Sequence, residues 1–489
     1  MAPVLRHVFL DKLGYYFPCP NLGFTKEILM KPSSAEIVIC GAGIAGISTA
    51  YHLAIKEGVQ DIVLIDERPP LSLTSDKSTE CYRNWWPGPG DAMVSMTNRS
   101  IDILEDLARE SGNVFNLNRR GYLFATANPQ RLNDFKNHAE EAAALGAGPA
   151  RCHSGRPDNP IYHPAPLSGY EDQPTGSDLI TDINLIQKHF PYLTGKTTAV
   201  VHARRCGFFS AQQLGMYMLN RARERGVRFV EARVESVEVI NGRVTGVRLS
   251  SGEGPEKINT SNFVNAAGPF LKAVGKMLGA NLPVFSELHA KVSIKDSLGV
   301  FPRDAGLLIW SDPQFLPWTK DERSLIEQED DLSYLLGEFP HSVHARPDGP
   351  PDSPIVLLLW TYDVNPVEPI FPLQFDSYYP EIVLRGLATM IPDMKKYFGK
   401  MPKPYVDGGY YTKTQENRPL IGPLPVKGSW VIGALSGFGL MASPACGELL
   451  AAHITGNELP DYAPWFLLER YQDPAYQDLL LDWSDTGQI

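Results

Sequence analysis

Cysteine is scarce in this chain of 489 residues: six are present, Cys19, Cys40, Cys81, Cys152, Cys206 and Cys446. They are scattered, with no CxxC pair and no metal-ligand spacing, so no metal site is expected. A chain this long with so few separated thiols does not read as a disulfide framework, and a reducing, cytoplasmic location is expected. Long apolar runs are also missing, which excludes a helical membrane span. A basic excess is missing too: the net charge of −11 argues against nucleic acid as a partner. The first residues, MAPVLRHVFLDKLGYYFPCPNLGFTKEIL, lack a signal-peptide core, and 1–34 reads as an N-terminal extension. Internal repeats and low-complexity tracts are absent.

What is present begins at Glu36. EIVICGAGIAGISTAYHLAIKEGVQDIVLIDE reads as strand, glycine turn, helix and second strand. Gly41, Gly43 and Gly46 form G-x-G-x-x-G at the turn. Gly41 permits the tight turn, Gly43 lets the backbone approach a pyrophosphate, and Gly46 lets the helix pack closely on the strand. The helix N-terminus at Ile44 and Ala45 offers free N–H groups to phosphate. Asp66, about 20 residues after Gly46, ends the second strand, where an acid accepts ribose hydroxyls; Glu67 and Arg68 follow it. An acid there disfavours a 2′-phosphate and hence NADP. The pattern alone leaves FAD and NAD both open. A single such unit and the lack of a CxxxxC pair disfavour a pyridine-nucleotide disulfide reductase.

Further along, Asp91 to Ser111 reads as a long helix, and Pro149 to Thr181 as an irregular loop. Ala211 to Arg225 is helical. VRFVEARVESVEVI and GRVTGVRLSS read as a β-meander turning at Asn241-Gly242. FVNAAGP is strand-like, Leu282 to Tyr362 is sheet-forming, and SWVIGALSGFGLMASPACGELLAAHITG reads as strand, glycine loop and helix.

Four segments in this order resemble the D-amino acid oxidase-like superfamily of FAD-dependent oxidoreductases, in particular its sarcosine oxidase and dimethylglycine dehydrogenase branch. They are the βαβ unit, TSDKSTECYR, the meander with VNAAGP, and GGYYTKTQENRPLIGP with VIGALSGFGLMASPACGELLA. The resemblance implies an α/β protein, α+β overall, with a Rossmann-type FAD-binding domain and a substrate domain on a large mixed β-sheet. It assigns 35–105, 195–285 and 405–475 to the first domain, and 106–194 and 286–404 to the second. Beside the glycine-turn residues it implies flavin contacts at Ser78, Thr79, Val234, Ala267, Gly268, Gly437, Phe438, Gly439, Leu440 and Met441. Gly409 stands where some relatives carry a flavin-linking cysteine, so FAD is expected to be non-covalent.

The same resemblance implies oxidation of a C–N bond in a secondary or tertiary amine or an N-methylated amino acid derivative. Hydride would pass to flavin N5, and the imine would then hydrolyse. Arg83 is placed to clamp a carboxylate, Tyr411 to line the pocket, and Trp85 and Trp86 to wall it. His289, in ELHAKV, reads as a structural histidine, and Glu448 as a helix-surface acid. The carboxylate-binding lysine of sarcosine oxidases is replaced by Met441, and PIVLLLWTY lacks their oxygen-activating lysine. An electron-carrier protein is therefore favoured slightly over O2 as acceptor. Two other readings stay open: a flavin-bearing assembly or interaction factor, and a hydroxy-acid oxidase on the same scaffold.

Overall fold

The computed structural model describes residues 32–250, 257–483 and 487. The expected N-terminal extension, apart from 32–34, lies outside the described residues.

Ile37–Cys40 is buried along its whole length. A strand covered on both faces reads as an unbroken apolar run, not as an alternation. It pairs in parallel with Ile62–Asp66 on one side and Asn262–Asn265 on the other. Arg228–Glu231 extends the sheet beyond Ile62–Asp66; Ser429–Gly433 and then an antiparallel Leu420–Pro423 extend it the other way. Cys40 is opposite both Ile65 and Asn265, so three strands end level. Their exits at Gly41, Asp66 and Ala266 meet at the carboxyl edge, where open parallel sheets bind ligands.

Helix Ile44–Ile55 packs between this sheet and helices Ala211–Arg223 and Gly439–Thr455, and helix Ala92–Ser111 packs in turn on Gly439–Thr455. Small residues set the closest approach: a Cβ on Gly447 would stand 2.3 Å from Ser48 Oγ. That hydroxyl donates to the Ser443 carbonyl at 2.7 Å. The crossing is thus hydrogen-bonded as well as packed.

The second layer is a ten-stranded mixed sheet. Its order is 366–367, 285–295, 355–359, 344–347, 307–310, 122–126, 199–203, 177–180 and 150–153, with 405–413 also paired to 285–295. The long strand Phe285–Lys295 is the hinge of the site, because it places Glu287 opposite Tyr411 and His289 opposite Gly409.

The meander turn is where the sequence puts it, with Asn241 and Gly242 at φ of +51° and +72°. Three readings are corrected. Pro149–Thr181 contains two paired strands, Ala150–His153 and Ser177–Ile180. Ion pairs rather than apolar periodicity hold them: Asp178 accepts from Arg151 at 2.6 Å, from His153 at 2.9 Å and from Arg204. Arg228–Glu231 leaves the meander for the parallel sheet, and Arg233–Ile240, Arg243–Ser250 and Lys257–Asn259 form a separate antiparallel sheet. Finally, Ala199–Ala203 and Tyr405–Lys413 lie in the large sheet, although the limits 195 and 405 had put them with the dinucleotide unit. Their side chains alternate too little to show which sheet they join.

Candidate active site

Two adjoining cavities lie at the carboxyl edge of the parallel sheet. The larger is about 330 Å³, within the range of ligand pockets. Gly41, Gly43, Ile44, Ala45, Asp66, Glu67, Arg68, Ser78, Val234, Ala267, Gly268, Gly437, Gly439 and Leu440 all line it. Thr79, Phe438 and Met441 line the smaller cavity instead. Gly46 lines neither. A Cβ on it would stand 1.9 Å from the Gly41 carbonyl, so its absence sets the helix-to-turn distance.

The turn itself is tight. Gly41 has φ of +113°, and a Cβ there would lie 2.3 Å from the Ala266 carbonyl oxygen. Asp66 braces it: Oδ2 accepts from the Ala42 N–H at 2.8 Å and Oδ1 from the Arg68 N–H at 3.0 Å. Burial pushes this carboxyl up, against the pull of those two N–H donors. Asp66→Ala removes the brace together with the acid expected to accept the ribose hydroxyls. We expect FAD affinity to fall by about 2 kcal/mol, roughly 30-fold, in a flavin fluorescence titration.

The sequence reading missed Ser75. Its Oγ accepts from the Ile44 N–H at 2.9 Å, at the helix N-terminus. The hydroxyl-rich run around it, Ser72 to Ser75, lines the cleft and was the available signal. The far wall carries backbone strain: Ala434 and Ser436 have φ of +53° and +47°. Such outliers in non-glycine residues cost of order 1 kcal/mol or more and cluster at functional sites.

The smaller cavity, about 60 Å³, shares Tyr411 and Gly437 with the larger one. Arg83, Tyr122, His289, His344, Thr361 and Asn417 provide its polar wall. Leu307, Leu359, Phe438 and Met441 provide its apolar wall. Arg83 is 6% exposed and lies over the Trp86 ring, 4.4 Å from its centroid. It donates to the Gly487 carbonyl. Trp86 lines neither of these cavities; it backs Arg83 and meets Phe438 edge-on at 4.9 Å. Its expected role as pocket wall is corrected to support of the cation. Trp85 packs on Phe124. Glu448 sits on a helix surface as read, paired in a fork with Arg99 at 2.5 and 2.7 Å.

His289, read as structural, is buried at the edge of the site. It lines the small cavity, and its ring stacks on Tyr411 with centroids 4.1 Å apart. Its Nε2 is 3.0 Å from Glu287, which also accepts from Lys413 at 3.0 Å. Burial would push Glu287 up, but the hydrogen bond from His289 and the Lys413 charge hold it below the usual carboxylate range. Burial pushes His289 down more than Glu287 lifts it, so the ring is neutral. Period-two spacing places Glu287 and His289 on one strand face. That face is recognisable as a site only once Tyr411 is seen opposite.

A prediction follows from the sign of the Glu287 shift. A depressed carboxylate adds stability above its unfolded pKa, lost as pH falls through its folded pKa. Glu287→Gln should cost about 3 kcal/mol of stability at neutral pH. Denaturant unfolding should show that difference vanish in acid.

The residues fit FAD. Asp66 and Val234, the glycine turn with the helix start at Ile44, and Tyr411 with Gly437 all line the one cleft. Gly43 leaves a cradle there: only Ser75 Oγ, at 3.2 Å, lies near the place of its missing Cβ. Among the described residues, no group of three or more His, Cys, Asp or Glu could hold a metal ion. No described helix is long and apolar enough to cross a membrane.

Comparison with known proteins agrees with this geometry. The chain is 24% identical over 432 residues to mouse mitochondrial sarcosine dehydrogenase, covering 86% of this chain and 39% of that protein. It is 24% identical to human mitochondrial dimethylglycine dehydrogenase, covering 87% of this chain and 43% of that protein. The chain thus spans about two fifths of the length of these relatives. Among solved structures, L-proline dehydrogenase from P. horikoshii has the same fold, with a TM-score of 0.69 at 20% identity over 90% of this chain and 99% of that one. The family model for FAD dependent oxidoreductases, DAO, matches residues 36–453. With that match over most of its length, the chain belongs to the DAO family of FAD-dependent oxidoreductases.

Proposed function

We propose that the protein oxidises the C–N bond of a secondary or tertiary amine, or of an N-methylated amino acid derivative. The observation that carries this reading is the small cavity beyond Tyr411 and Gly437. A buried guanidinium sits there among neutral histidines and apolar walls, and no carboxylate lines it among the described residues. When bound, FAD supplies the hydride acceptor. Gly41, Gly43, Ile44, Asp66 and Ser75 would hold its phosphates and ribose, without the cysteinyl link that Gly409 cannot form.

The chain's own residues supply orientation. Arg83, fixed on Trp86, takes the substrate carboxylate in a bidentate pair. Leu307, Leu359, Phe438 and Met441 exclude water around the reacting carbon. The Tyr411–His289 stack separates the two cavities and fixes the amine between Arg83 and the flavin end of the cleft. With no acid at hand, the amine reacts as its free base. The imine product then hydrolyses to a carbonyl compound and an amine.

Electrons leave to a carrier protein rather than to O2. The cavity wall holds no lysine among the described residues. The buried Lys291 nearby is committed to the carbonyls of Asp76 at 2.7 Å and Ser78 at 3.4 Å. Stopped-flow mixing of the reduced protein with air-saturated buffer tests this: slow reoxidation is expected, and rapid reoxidation would make the protein an oxidase. A cytoplasmic location fits the five cysteines that stand free among the described residues. The matched dehydrogenases are themselves named mitochondrial, so fractionation of tagged protein decides the compartment.

A further inference from the structure

We propose that His344 reads the substrate nitrogen: its Nε2 accepts the N–H of a secondary amine, so that N-monoalkyl amino acids are oxidised in preference to N,N-dialkyl ones. The inference rests on the amine reading above and narrows its substrate class.

His344 begins the strand His344–Pro347, held between Leu307–Trp310 and Ile355–Leu359, with Ile309 and Leu359 as its direct partners. Two flanking strands leave its backbone little freedom. The side chain is buried and forms part of the small cavity's wall with Arg83 and His289. Its Nδ1 lies 2.8 Å from the Ser342 carbonyl oxygen. A carbonyl can only accept, so Nδ1 carries the hydrogen. Burial, with help from His289 and Arg83, pushes the ring's pKa down to about 4. The imidazole is therefore neutral near pH 7, and Nε2 holds a lone pair. Nε2 has no hydrogen-bond partner among the described residues.

Three neighbours of His344 on the wall, Arg83, His289 and Cys81, only donate or have their polar atoms engaged elsewhere. Arg83 only donates. His289 spends Nε2 on Glu287, and its Nδ1 faces the Thr361 hydroxyl at 3.4 Å. The Cys81 thiol points to the Thr79 carbonyl at 3.4 Å. A substrate whose carboxylate meets Arg83 thus finds at His344 an acceptor waiting for a donor. The free base of an N-monoalkyl amino acid retains one N–H to satisfy it. The free base of an N,N-dialkyl amino acid has none. It leaves a buried acceptor unpaired and adds a methyl group to a cavity of about 60 Å³. A site built to bond an N–H rejects an analogue lacking it far better than an apolar pocket rejects one methyl.

The test uses the FAD-loaded full chain under anaerobic conditions. N-methylglycine and N,N-dimethylglycine are compared by the second-order rate constant of flavin reduction. The wild type should favour N-methylglycine by about 10- to 100-fold. His344→Leu should narrow that ratio to within about threefold, whereas His344→Gln, which keeps an acceptor near the same place, should retain most of it. A binding arm adds methoxyacetate, which has the carboxylate but an ether oxygen in place of N–H. Its dissociation constant, read from the flavin absorbance shift, should exceed by about tenfold or more that of N-methylglycine in the wild type, taken from the concentration dependence of the flavin-reduction rate, or from its own absorbance shift where no reduction occurs. His344→Leu should close that gap.

A wild type that favours N,N-dimethylglycine, or a discrimination that His344→Leu leaves unchanged, overturns the inference while the amine reading stands. Flavin that no amine reduces overturns the amine reading instead. In that case the methoxyacetate gap, or its absence, still decides the role of His344, and ligands that leave the flavin spectrum unmoved count against it.

Discussion

Gly41→Ala should yield a protein that purifies without flavin and unfolds at markedly lower denaturant than the wild type. The position has φ of +113°, which an alanine adopts only under strain, and the new Cβ would lie 2.3 Å from the Ala266 carbonyl. Neither partner can retreat. Ala266 follows a strand paired on both sides, and Gly41 N–H is tied to the Ile65 carbonyl at 2.8 Å. Strain and overpacking together cost about 3 kcal/mol or more. Gly43→Val separates folding from binding. Its Cβ would have only Ser75 Oγ near it, at 3.2 Å, so the apoprotein should unfold near the wild-type midpoint. The same side chain stands where the pyrophosphate approaches the backbone. FAD affinity should fall by about 3 kcal/mol, roughly 150-fold, from the loss of charge-assisted amide contacts. Denaturant melts and flavin titrations on both variants check the pair. Equal flavin affinity in Gly43→Val and wild type would remove the glycine turn from the cofactor site.

Arg83→Ala should lower kcat/KM for carboxylate-bearing amines by about 100- to 1000-fold, mostly through KM. A buried bidentate ion pair to a ligand, once truncated, costs about 2–5 kcal/mol. Arg83→Lys should recover little of this, because a lysine offers a point charge and cannot spread a planar fork over Trp86. Amines without a carboxylate provide the control and should lose less than about threefold. A matching loss for both substrate types would mean that Arg83 holds the pocket together rather than the carboxylate.

The glycine turn, the acid at Asp66 and the long helices were legible because each is a local pattern. A strand run, a 3.6-residue period or a fixed spacing all fit within one stretch of chain. The small cavity was not legible, because it is assembled by strand register. His289 reaches it only because Phe285–Lys295 pairs with Tyr405–Lys413, more than a hundred residues away in sequence. His344 reaches it through pairing with Ile309 and Leu359. Arg83 was recognised as a cation of the site, but its backbone partner, Gly487, is 404 residues distant. Trp86 misled for the opposite reason: adjacency to Arg83 in sequence suggested a shared wall, while in space it lies beneath the guanidinium. The strands at Ala150–His153 and Ser177–Ile180 were hidden by composition, since charge pairing at Asp178 does the work that apolar alternation does elsewhere.

The central claim is that FAD on the glycine turn oxidises an amine held beyond Tyr411. Anaerobic titration of the FAD-loaded protein with N-methylglycine, N,N-dimethylglycine and L-proline, beside a set of hydroxy acids, tests it most directly. The account predicts that at least one amine bleaches the flavin. With an N-methyl substrate, one aldehyde and one demethylated amine should appear for each flavin reduced. Bleaching by hydroxy acids alone, or stable oxidised flavin with every compound, would contradict it.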